Sequence, residues 1–497
     1  MASIPRRLGL AAALAGCAVL ALAGPARAHH RFDGRPRTVV TTDMEQDDYA
    51  SLIRYLLYTN DLDTEGIVYT ASRFHWAGDG KGTEFFLPGR EYATPQTSWR
   101  WTGTRTIQDE ALAAYAEVYP NLRQQAAGYP TPRSLLGKVR VGNVDFEGEM
   151  SHDTAGSDLI RDLLLDHDPR PVYLQAWGGT NTIARALKSI EEHYPGSPGL
   201  KARISKKAVI LASGFQDETY ANYIAPNWPG LRVEQLSGGY ATWGYNCNAG
   251  HGNTRGRPAD HVYFTGDWIR KNIEVGPYGK LYRSWLDGQS MPGDPLDIFG
   301  DPAKAPGGWC KPLGPYDFLS EGDNVAFNPL LNTGLQDPAN PALGGWGGRA
   351  TQVTTSPDLW TMVPTEDGIA DYTTLRWAAA AQNDFAARMS WTLTGSYRKA
   401  GHAPSVAIAQ GKTLRVRPGA SVTLSSRTFD PDGDHVSTSW WQYRDEGTYP
   451  GAVAITGSVV KVPADAQRGQ TISIVLQGTD DGRFPLTRYD RVILIVT

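Results

Sequence analysis

The segment Thr38–Tyr58, TVVTTDMEQDDYASLIRYLLY, constrains this chain more than any other. Thr38–Thr42 is β-branched and alternating, which predicts a strand. Ala50, Leu52, Ile53, Leu56 and Leu57 recur at helical spacing, which predicts a helix. Between them stand Asp43, Glu45, Asp47 and Asp48, four acids within six residues. In an α/β protein the turn beyond a strand's carboxyl end is where ligands bind. The N-terminus of a helix favours negative charge and offsets a little of the repulsion among these carboxylates. A bound cation offsets far more, and oxygen-rich clusters suit the hard ions Ca²⁺ and Mg²⁺. A solvated acidic turn that caps the helix is the plainer alternative.

The rest of the first part continues the alternation. Strands are predicted at Val39–Thr42, Gly66–Ala71, Val172–Ala176, Ala208–Ala212 and Leu231–Gln235, and helices at Tyr49–Tyr58, Leu112–Tyr119, Gly156–Leu164 and Thr182–Glu192. That order predicts an α/β fold, a mostly parallel sheet with helices on both faces. Two long segments, Ala77–Gln108 and Thr242–Pro315, are rich in Gly, Trp and Tyr and read as insertions over the strand ends. Long irregular loops usually carry function. Near Ala403 the pattern becomes short alternating runs divided by turns, which predicts a C-terminal Ig-like β-sandwich over residues 403–497. Asp430, Asp432 and Asp434 flank Pro431 and Gly433 and are read as turn residues, because the EF-hand places its glycine at position six. Adjacent Trp440 and Trp441 must point to opposite faces of a strand, one into the core and one outward.

The chain has 497 residues, 41% hydrophobic and 20% charged, enough for two or three domains. Residues 1–28 read as a signal peptide: Arg6 and Arg7, the apolar run Leu8–Leu22, then Ala26-Arg27-Ala28. A lipoprotein box at Leu14–Cys17 is weaker, since the apolar run continues past it. Removing Arg6, Arg7 and Arg27 takes the formal charge from −4 to −7. There is no basic excess for nucleic acid, and no other stretch suits a membrane span. The chain is therefore expected to be secreted, and its remaining Cys247 and Cys310 to form one disulfide.

Asp43-x-x-x-Asp47-Asp48 between strand and helix resembles the N-terminal signature of the nucleoside hydrolases. Gln175–Ala184, Phe215–Pro229 and Glu321-Gly322-Asp323 resemble three later segments of that family, in order. The phrases SRFHW, WGGTNT, EGDN, GGWGGR and QNDFAARMSW are similar to one branch, secreted cellulose-binding proteins with a nucleoside hydrolase-like domain, here residues 29–402, and a β-rich C-terminal domain. The resemblance implies one Ca²⁺ held by Asp43, Asp48, Asp323 and a backbone carbonyl near Trp177, with Asp43 also activating water. It implies Asp47, Arg73 and Asn222 as substrate contacts. His75 reads as a packed histidine, and Asp217 and Glu321 as ordinary surface carboxylates.

The departures from the hydrolases are specific. Thr41 stands where they carry a further aspartate, Met44-Glu45 replaces Pro-Gly, and Gly322 replaces a histidine that helps the base leave. Two functions follow as expectations. One is a glycosidase acting on an N-glycosyl or related furanosyl bond. The other is a non-catalytic binder of carbohydrate, cellulose or plant polysaccharide.

Overall fold

A computed structural model describes residues 34–236, 258–282, 284–285, 318–319 and 321–497. The expected leader and the expected Cys247–Cys310 disulfide lie outside these residues.

Eight strands form one sheet. In chain order they begin with β1 (Arg37–Thr42), β2 (Asp63–Tyr69), β3 (Val139–Val141), β4 (Val172–Ala176), β5 (Ala208–Ala212) and β6 (Val233–Gln235), and end with the pair Ala350–Val353 and Ser356–Met362. The spatial order of the first six is β3-β2-β1-β4-β5-β6, followed by Ser356–Met362 and then Ala350–Val353. All neighbours are parallel except that last pair.

β1 and β4 are buried along their whole length. The central strands have no wet face, because successive side chains feed two cores, while the edge strands carry exposed residues. Val40, Tyr173 and Leu211 enter one core, with the helices α1 (Gln46–Leu56) and α2 (Leu112–Gln125) and the long helix Ala378–Trp391. Val39, Val172, Leu174 and Ile210 enter the other, with α4 (Ala155–Leu165), α5 (Asn181–His193) and α6 (Pro198–Lys207). The short α3 (Pro132–Leu136) starts with Thr131 capping the Ser134 amide. The expected α/β architecture is thus present, with strand ends within a few residues of expectation. The strand-poor insertion at 77–108 folds around Trp76, Phe85, Tyr92, Trp99 and Phe146, tied by bridges between Trp76 and Trp99 and between Phe85 and Gln96.

From Ser405 onward the chain is strands only. Four of them, Thr413–Val416, Thr487–Val496, Thr471–Thr479 and Ser437–Gln442, form one sheet in that order, and Ser421–Thr423, Val459–Lys461 and Ala454–Thr456 another. Their inner faces share a core of Val460, Ile472, Ile474, Leu476, Val492 and Leu494, as in a β-sandwich. Trp440 packs on that core. Trp441 turns the other way, as alternation requires, but lies against Trp377 of the first domain rather than solvent.

Candidate functional site

In this sheet the strand order reverses between β1 and β4. Ligands of open α/β sheets bind in the crevice outside the strand ends at such a point. Asp43 is the first residue after β1, and Trp177 the first after β4. The two turns are drawn together by the Trp177 amide, which donates to the Thr41 carbonyl at 2.9 Å. Gly178 makes the contact close: a Cβ there would sit 3.0 Å from Asp43 Cγ and 3.1 Å from its Cβ.

The acidic turn itself is held by Thr42. Its hydroxyl donates a short hydrogen bond to Asp48 Oδ1 and accepts the Met44 amide at 3.0 Å. Met44 is fully buried at φ 57°, a left-handed conformation uncommon outside glycine that clusters at functional sites. Asp47, at the head of α1, accepts the Asp48 amide at 3.1 Å and is the least buried acid of the turn. Asp323 arrives from far along the chain, its amide donating to Ser51 Oγ of α1 at 3.0 Å.

These carboxylates repel one another in a dry place. Asp48 is held well above the usual carboxylate range, first by burial, then by Asp323, Asp43 and Asp47, against the Thr42 hydrogen bond. Asp323 is raised by burial, then by Asp47, Asp43 and Glu321, against a hydrogen bond from Ser213. Glu45 is raised by burial, then by Asp47, with Arg100 opposing. Asp43 is fully buried, and neither of its carboxylate oxygens has a hydrogen-bond partner; Asp323 Oδ2 is in the same state. An all-oxygen set of crowded, orphaned carboxylates fits a hard divalent cation.

The structure places Asp43, Asp48, Asp323 and Trp177 around the same strand ends, but the carboxylate and imidazole atoms that converge within 4.8 Å here belong to two other sets, Asp43 with Glu45 and His75, and Glu45 with Asp47 and Asp48. Gln216, absent from the sequence-based expectation, donates its side-chain amide to the Trp177 carbonyl at 2.7 Å. Its backbone carbonyl also accepts the Arg73 amide at 2.8 Å, so one residue after β5 fixes two site segments. Arg73 is half-buried beside the cluster and donates to the Gly89 carbonyl at 3.3 Å rather than pairing with an acid. Asn222 lies on the exposed side of a π-helical turn, Tyr220–Ile224.

Three residues depart from their sequence reading. His75 is buried, as expected of a packed histidine, yet its Nδ1 lies 3.8 Å from Asp43 Oδ2 and 3.9 Å from Glu45 Oε2. Asp217 is not a surface acid. It is 5% exposed and accepts from the Thr180 hydroxyl, the Asn181 amide and Thr219, capping the start of α5. Glu321 is not one either. It is fully buried, accepts two hydrogen bonds from Arg54 at 2.5 and 2.9 Å and another from the Tyr282 hydroxyl at 2.5 Å, and so anchors the turn that carries Asp323 onto α1. Spacing along a sequence does not reveal a partner 267 residues away.

No curated protein matches the chain. Among solved structures it is similar to a nucleoside hydrolase-related hypothetical protein from Saccharophagus degradans, associated with carbohydrate metabolism. Identity is 27% and the TM-score 0.68, over 93% of this chain and all (100%) of the other. A plant nucleoside hydrolase, PpNRh1, overlaps 73% of this chain and 100% of its own at 11% identity and a TM-score of 0.32. Residues 421–496 match the C-terminal domain of the cellulose-binding protein Sde0182. Residues 37–350 match the model of the nucleoside hydrolase-like domain of cellulose-binding Sde182, and the chain belongs to that family.

Proposed function

We propose that this chain is an exported glycosidase that hydrolyses an N-glycosyl or related furanosyl bond with the help of one bound Ca²⁺. The single observation that carries it is Asp43: a fully buried carboxylate with two unpartnered oxygens, at the point where the strand order reverses. Asp43, Asp48, Asp323 and the Trp177 carbonyl would hold the ion. When bound, Ca²⁺ would supply positive charge that makes a neighbouring water more acidic.

The chain's own groups then divide the work. Asp43 takes a proton from the attacking water as its oxygen bonds to the anomeric carbon. Asp47, the acid with access to the crevice, accepts hydrogen bonds from vicinal sugar hydroxyls. Arg73 and Asn222 contact the outer parts of the substrate. The glycosidic bond breaks with its electron pair leaving on the aglycone, and the transition state is oxocarbenium-like, which the surrounding carboxylates favour. Gly322 offers no proton to the departing group, so aglycones stable as anions are favoured. Loss of a general acid typically costs on the order of 10²–10⁴ in rate. An aryl riboside or arabinofuranoside is therefore expected to be cleaved faster than inosine, and chelator is expected to abolish cleavage. Brisk inosine turnover contradicts the leaving-group assignment.

The family's description as cellulose-binding supports a second reading, a carbohydrate binder in which the crevice holds but does not cut. Saturable polysaccharide binding that survives Asp43→Asn, with no glycoside turnover, selects it.

A further inference from the structure

We propose that the C-terminal sandwich carries its own Ca²⁺ site, built by Asp430, Asp432 and Asp434 of one loop with Asp480 of the loop beside it. The first three each offer a carboxylate oxygen within 4.8 Å of the others. Asp430 is 9% exposed, so it is more than nine-tenths buried. Its Oδ1 accepts the amides of Asp432 and Asp434 at 2.8 and 3.1 Å, which shapes the loop. Its Oδ2 is buried and has no hydrogen-bond partner. A carboxylate oxygen shut away from water with neither donor nor cation is costly. In a setting of further carboxylates, a cation is the partner it lacks.

The second loop closes on the first. A Cβ on Gly482 would lie 2.9 Å from Asp434 Oδ2 and 3.3 Å from Asp480 Oδ1, so both oxygens flank one stretch of backbone. The His435 amide donates to Asp481 Oδ1 at 2.9 Å. Asp480 is 5% exposed, and Asp430 and Asp434 are among the groups that crowd its carboxylate. The donors are all carboxylate oxygens on two loops, which suits the larger and more tolerant Ca²⁺ better than the strictly octahedral Mg²⁺. His402 engages both oxygens of Asp432: its amide donates to Oδ2 at 2.6 Å, and its Nδ1 lies 3.0 Å from Oδ1 and 3.2 Å from Oδ2, so Asp432 would offer the ion only its remaining lone pairs. His402 in turn stacks on Tyr397 and Trp391. The ion would thus tie the connection between the two domains to the sandwich. This site is independent of the proposed activity.

The test uses the full mature chain, stripped with EGTA, in an Asp43→Asn/Asp48→Asn background that removes the other site. Calorimetric titration with CaCl₂ is expected to show one equivalent bound, a higher unfolding midpoint, and weaker binding of MgCl₂. Adding Asp430→Asn and Asp434→Asn is expected to remove the binding and the midpoint shift. No calcium binding in the background protein, or binding unchanged by those substitutions, overturns the proposal. Should that variant not fold, Asp480→Asn is read by terbium luminescence, sensitised by Tyr397 and Trp391. The affinity is expected to fall about tenfold or more, and an unchanged titration overturns the proposal.

Discussion

A buried carboxylate without a hydrogen-bond donor weakens the protein that carries it, and Asp43 has both oxygens in that state. Asp43→Asn should therefore have two opposite effects. Activity on an aryl furanoside should fall on the order of 10²–10⁴-fold, as when an acid or base is removed. In chelator the variant should be the more stable by about 1–3 kcal/mol, since a repelling charge leaves Asp48, Glu45 and Asp323. Denaturant melts with and without EGTA measure both states. Away from the site, Glu234 on β6 is 2% exposed and pushed up to about 7 by burial, with Arg232 opposing. The folded chain then binds a proton there that the unfolded chain has released. Stability from this group is present below about pH 4.5 and declines as pH rises through about 7. The loss amounts to roughly 3 kcal/mol at most. Glu234→Gln should flatten that slope in melts between those pH values. The acids around Asp43 were legible in sequence because a strand, a turn and a helix leave little choice of position. Gln216 and His75 were not, since their roles rest on side-chain contacts across loops.

At the scale of elements, the site depends on two turns meeting. Gly178 lets the β4 turn lie against Asp43, and a methyl there would press on the Asp43 carboxyl carbon and backbone. Gly178→Ala should cost about 1–3 kcal/mol in stability, as overpacking does. It should also weaken calcium binding while the far-UV spectrum stays unchanged. Calcium affinity equal to wild type would show that the contact relaxes without moving Asp43. The central strands were readable because strands buried on both faces become continuous apolar, β-branched runs. β3, three residues long, and the antiparallel pair at the far edge were not anticipated. Short runs at a sheet's margins carry too few residues to show a period.

At the scale of the molecule, the sandwich was expected to stand apart from the first domain. It has its own core, yet its Tyr443, Val475 and Tyr489 face away from that core and join the core of the first domain. Trp377 meets Trp441, Tyr443 and Tyr489 edge-on or tilted, and Arg376 lies over Tyr443 while pairing with Glu366. Sequence alternation placed Trp440 and Trp441 on opposite faces but could not say that a second domain covers one of them. Tyr489→Ala should cost about 3–5 kcal/mol, the range for a large buried aromatic. Removing residues 403–497 should lower the unfolding midpoint of what remains. An unchanged midpoint would mean that the aromatics the sandwich lends contribute nothing to the first domain.

The helix Ala378–Trp391 touches both ends of this arrangement. Its Asp384 pairs with Arg488 of the sandwich at 2.7 Å. Two residues earlier, Gln382 accepts from Arg54 at 2.7 Å, the same guanidinium that grips Glu321 beside Asp323. Thermodynamic reciprocity then applies. Whatever coupling this helix carries between the proposed calcium site and the sandwich is the same in both directions: a ligand at either end changes affinity at the other by the same factor. Arg488→Ala should cut that link, so that calcium titrations of the full chain with and without added polysaccharide coincide.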